Sequence, residues 1–147
     1  MSPKELQELL IEIKAEIPEI NSTWLVVDDS QLGNTLENKS LSDNAYLIGV
    51  MPNYGTLAKN QDNYKETITS QLLILEKTDY SELTQDEFIA VFERTYQIMR
   101  KVKLLLISKM EERCYSQLYN LDVDALDAFP VWKKSQCNGW SLDLEFN

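Results

Sequence analysis

Asp122, Asp124 and Asp127 stand within one six-residue stretch (DVDALD), a spacing that could gather oxygen ligands around a cation. A calcium loop of the EF-hand kind needs a glycine at its sixth position and a glutamate at its twelfth. Here alanine and Phe-Pro follow instead. Leu121, Val123 and Ala125 alternate with Asp122 and Asp124, so the acids read as the wet side of a strand. Asp28 and Asp29 form another acidic pair, with no second cluster beside them. Paired carboxylates can divide acid and base work. With 24 acidic residues among 147, however, proximity in sequence is no signal of it. Cys137 lies in Cys-Asn-Gly, and a nucleophilic thiol needs a base or another activating group. The chain has no histidine, which removes Ser/His/Asp and Cys/His arrangements and any histidine-bearing zinc site. Its two cysteines cannot furnish a four-cysteine site. Gly33, Gly49, Gly55 and Gly139 are scattered, with neither a dinucleotide fingerprint nor a phosphate loop. No catalytic residue, metal or cofactor is therefore expected.

The chemistry that remains is the chemistry of contact. Trp24, Trp132, Trp140 and the seven tyrosines make the chain rich in amphipathic rings. Such rings pack half-buried sheets and also favour interfaces. Tyr54 is the strongest interface candidate, because no core pattern surrounds it. It sits in a stretch, residues 52–63, rich in Asn, Gln and Asp, together with Asn53 and Lys59. Asp143 and Glu145 join this set from the polar side of the last strand.

Elements must place these residues. Ser2, Pro3 and Glu5 form the start signature of a helix over residues 3–16. Leu6, Leu9, Leu10, Ile13 and Ile17 make its apolar stripe, and Pro18 stops it. Thr23 to Val27 reads as a strand, and Ala45 to Met51 as a second one, apolar enough to be buried on both sides. Asp28 to Asn44 reads as a loop with room for a short helical turn. Pro52-Asn53-Tyr54-Gly55 signals a turn that opens a polar loop to Asn63. Tyr64 to Glu76 is a third strand. Thr84 and Glu87 box the start of a long helix reaching about Tyr115, striped by Phe88, Val91, Phe92, Thr95, Ile98, Met99, Val102, Leu105 and Leu106. Its acids lie first and its bases last, as the helix dipole favours. Residues 121–125 and 128–133 read as strands, with Pro130 marking an edge or bulge. Asn138-Gly139 signals a hairpin turn before the alternating run Trp140 to Phe146. Strands in groups rather than alternating with helices point to an α+β class: a mostly antiparallel sheet with two amphipathic helices on one face.

The length suits one domain over residues 1–147, able to bury roughly 68–70% of its unfolded surface. The formal net charge is −10. Residues 1–83 carry a net −8, residues 84–115 a net +1 and residues 116–147 a net −3. Only the long helix could meet an acidic partner, and a nucleic-acid footprint is not expected. The first twenty residues have no apolar targeting core, and apolar runs such as Leu104 to Ile107 fall far short of a membrane span. A soluble cytoplasmic protein is the expectation, its Cys114 and Cys137 buried free thiols, with a disulfide between them as the alternative.

The order of elements resembles the small tail-completion or tail-terminator proteins of tailed bacteriophages and contractile systems. The resemblance lies in Ile68 to Leu75 followed by Glu76-Lys77-Thr78-Asp79, in Thr84 to Ile107, and in Asn138-Gly139-Trp140-Ser141-Leu142 running to Phe146. It is similar to small structural proteins found beside tail genes in phages and prophages of Bacteroidetes-type hosts. The resemblance implies a non-enzymatic ring, usually of six subunits, on the last ring of a tail tube. Its partners would be copies of itself, the tube and the head-side connector, in the host cytoplasm and then in the virion. Residues 52–63 and the terminal strand would make the contacts. The charge of −10 supports a different expectation: a small adaptor, immunity protein or chaperone for a basic protein.

Overall fold

The computed structural model describes residues 1–32, 45–79, 83–112, 116–134 and 136–147. It is an α+β fold with, among the described residues, a five-stranded mixed sheet and two helices. In chain order the elements are α1 (Pro3–Glu16), β1 (Ser22–Val26), β2 (Tyr46–Asn60), β3 (Asn63–Lys77), α2 (Gln85–Glu111), β4 (Ala128–Lys134) and β5 (Cys137–Phe146). The sheet runs β1-β2-β3-β5-β4. Among the described strands only the β1–β2 pair is parallel. Parallel neighbours need a connection of a dozen or more residues, and 19 residues separate β1 from β2 in the sequence.

Both helices begin in full capping boxes. Ser2 Oγ accepts from Glu5 N–H while Glu5 accepts from Ser2 N–H, and Thr84 and Glu87 repeat the exchange. The Ser2 bonds hold the Glu5 carboxyl below the usual carboxylate range. Each helix then turns one stripe onto the same side of the sheet. Leu6, Leu9, Leu10 and Ile13 of α1 meet Ile98, Met99, Val102 and Leu106 of α2 over Leu47, Leu72, Ile74, Leu142 and Leu144. Gly49 makes room for α1: a Cβ there would sit 3.0 Å from Leu10 Cδ1 and from Leu25 Cδ2. The reverse side of the sheet holds a smaller apolar cluster of Val26, Leu32, Tyr46, Ile48, Leu73, Leu75 and Cys137. Strand β2 is therefore buried on both faces over its first three residues, as its continuous apolar run requires.

Four sequence expectations need correction. Residues 52–63 are not a loop. Strands β2 and β3 continue through them as a hairpin that turns at Gln61-Asp62, closed by the pair Asn60–Asn63. Pro52 sits in a bulge, where the register slips between Val50 and Asn53, rather than in a turn. Residues 121–125 are not a strand. Leu121 makes an isolated bridge to Phe146, and Val123–Ala125 is a 3-10 turn capped by Asp122. Asn138-Gly139 lies inside β5, and the β4–β5 hairpin closes earlier, at the pair Lys134–Cys137. Finally, α2 ends at Glu111, short of Tyr115, which lies outside the described residues along with Cys114.

Candidate protein interface

Directly paired residues share a sheet face, and faces alternate along each strand. Beyond Val50 there is no further β1 pairing, and beyond Ile68 there is no further β5 pairing. Residues 53–67 of β2 and β3 thus form a two-stranded ribbon that leaves the body of the sheet. At about 3.3 Å per residue it extends on the order of 25 Å. The segment 53–66 is exposed throughout. It nonetheless carries large apolar groups: Leu57 is 71% exposed, Tyr64 63% and Tyr54 50%. Its tip is fixed by Asn60, whose side-chain oxygen accepts from Asp62 N–H at 3.1 Å. Its root is fixed by Tyr54, whose hydroxyl donates to the Met1 carbonyl at 2.9 Å.

Pairing assigns the ribbon's residues to faces. Asn53, Gly55, Leu57, Lys65, Thr67 and Thr69 lie on the face opposite the helices, while Tyr54, Thr56, Ala58, Tyr64, Glu66 and Ile68 lie on the helix side. The first set runs without interruption into the body of the sheet through Gln71, Asp143 and Glu145. There a cavity of about 440 Å³ opens, bounded by Val50, Asn53, Thr69, Gln71, Asp127, Asp143 and Glu145. Gln71 Nε2 donates to Asp143 Oδ1 at 2.8 Å and orients that carboxylate. The 121–127 segment runs along the free edge of β5. Asp122 N–H donates to the Glu145 carbonyl and Asp143 N–H to the Asp127 carbonyl, both at 2.8 Å.

Of the five interface candidates, the structure brings Asn53, Asp143 and Glu145 to one cavity. Tyr54 lies on the opposite face, and Lys59 near the ribbon's tip. Asp127 was not legible as a neighbour, because only the edge pairing of 121–127 with β5 brings it there. Among the described residues no group of three His, Cys, Asp or Glu could hold a metal ion, the 122–127 acids included.

The basic residues of α2 are largely committed inside the subunit. Arg94 forks onto Glu76, Nε to Oε1 at 3.1 Å and Nη2 to Oε2 at 2.9 Å. Lys101 pairs with Glu19, Lys103 donates to the Leu126 carbonyl and Lys109 lies 3.9 Å from Glu112. Internal contacts thus account for four of the helix's five basic residues, Arg100 being the fifth. Cys137 is buried, and burial pushes its thiol up to about 12 despite nearby Lys77. It is thus held as the thiol, the opposite of what a nucleophile needs. Among the described residues no helix is long and apolar enough to cross a membrane. Compared with known protein families, curated proteins and solved structures, the chain matches none.

Proposed function

We propose that this chain is a non-enzymatic assembly protein of the phage tail-completion or tail-terminator kind, acting as a closed ring of identical subunits at the end of a tail tube. The observation that supports this reading is the ribbon. Exposing Leu57, Tyr64 and Tyr54 on an arm that contributes nothing to the core costs solubility unless another surface covers them. A two-stranded ribbon is also marginal by itself, and docking against a neighbour removes that weakness. The two edge strands add further contact surface. Strand β4 presents Phe129 and Trp132, and β1 presents Trp24, all at least partly exposed.

The test is solution mass by light scattering across concentration, with imaging of large species. A closed ring that is lost when residues 55–66 are replaced by an Asn-Gly turn supports the proposal. A strict monomer up to millimolar concentration overturns it and favours the acidic adaptor, whose basic partner would then be sought.

A further inference from the structure

The face of the sheet opposite the helices divides its charge along its length. Its outer half, on the ribbon, carries Leu57 and Lys65 and no carboxylate. Its inner half carries Asp127, Asp143 and Glu145 around the cavity. Among the described residues, no ion pair involves Lys59, Lys65, Asp127, Asp143 or Glu145. Copies with a net charge of −10 repel one another, so a place where opposite charges meet locally favours their association there.

Gly55 supplies an independent observation. A Cβ there would meet nothing nearer than the Thr67 carbonyl, at 3.7 Å. Nothing inside the subunit demands a glycine at that point. Its effect is to leave the ribbon's face flat between Asn53 and Leu57, where another surface can approach the backbone.

We infer that the ribbon of one copy lies on the inner half of this face in a second copy, with Lys65 reaching the carboxylates of Asp143, Glu145 and Asp127 and Leu57 covering the apolar wall at Val50. This rests on the self-assembly reading above and names its acceptor surface. The cavity is open on one side, so the lysine keeps part of its hydration while it gains three acidic neighbours. That avoids the desolvation cost of a fully buried pair. A ribbon reaching outward and an acceptor lying inward on the same subunit allow a head-to-tail contact, and such contacts close into rings when the rotation permits.

The test uses Lys65→Glu and Glu145→Lys, both surface changes, with circular dichroism to establish folding. Each variant alone should associate at least about tenfold more weakly than the natural chain. An equimolar mixture should regain association. In it the carboxylate introduced at position 65 meets the lysine introduced at position 145, between Asp127 and Asp143, and the unaltered ribbon meets the unaltered face. Natural-strength association by both single variants, or a mixture no better than either alone, overturns the acceptor assignment while leaving self-assembly intact. A natural chain that stays monomeric at every concentration overturns both.

Discussion

Gly139 shows how one residue can be read correctly by type and wrongly by place. Asn-Gly is the strongest short hairpin signal, yet here it lies in the middle of pairing, opposite Leu75. The glycine is needed because β3 passes too close for a side chain. A Cβ at Gly139 would sit 2.0 Å from the Ile74 carbonyl oxygen and 3.2 Å from Leu75 Cα. Its φ of 157° is one that side chains rarely accept. The partner is backbone of a central strand, so no rotamer change relieves the overlap. Gly139→Ala should therefore cost at least about 2 kcal/mol, above the usual effect of a point substitution. A denaturant midpoint unchanged from the natural chain would show that the strands separate freely there. No local pattern announces a close approach between residues 64 positions apart, so the turn was the only reading the dipeptide itself offered.

The helices were legible because their signals are local. Caps act over three residues and the apolar stripe repeats every turn, so Ser2 with Glu5 and Thr84 with Glu87 mark true starts. Thr84 accepts from the Glu87 N–H, one of the donors at the start of α2 that the helix itself cannot satisfy. Thr84→Ala should lower stability by about 1 kcal/mol. The urea midpoint should fall with an unchanged slope, since the exposed surface on unfolding stays the same. No loss would mean that the first turn of α2 is held by packing alone. The ribbon was illegible for the opposite reason. With neither face on a core, residues 53–66 have no cause to alternate, and their composition is that of a loop. Pro52 reinforced the error, because a bulge uses proline as readily as a turn does. The acidic cavity was half legible. Asp143 and Glu145 followed from the last strand's alternation, but Asp127 arrives through tertiary pairing along an edge.

Over the whole molecule, stability should fall steeply from the body of the sheet to the ribbon's tip. Residues 46–49, 72–75 and 139–142 sit in strands flanked on both sides and covered on both faces. The bonds of 54–58 and 64–67 are flanked by one partner strand and by water. Opening the ribbon exposes almost no new apolar surface, so its cost is a small part of the global unfolding free energy. Opening the central strands exposes both apolar clusters and costs nearly all of it. Hydrogen exchange at low protein concentration should therefore release the ribbon amides well before the central ones. Raising the concentration should slow the ribbon first, because a neighbour that covers it adds binding free energy to local opening. The central amides should respond less, since their exchange already requires global unfolding. Ribbon exchange that is fast at every concentration would leave the arm without a partner among its own copies. Protection equal to that of the centre even in the dilute monomer would mean that the ribbon folds back onto its own subunit, and the exposed Leu57 and Tyr64 would need a different explanation.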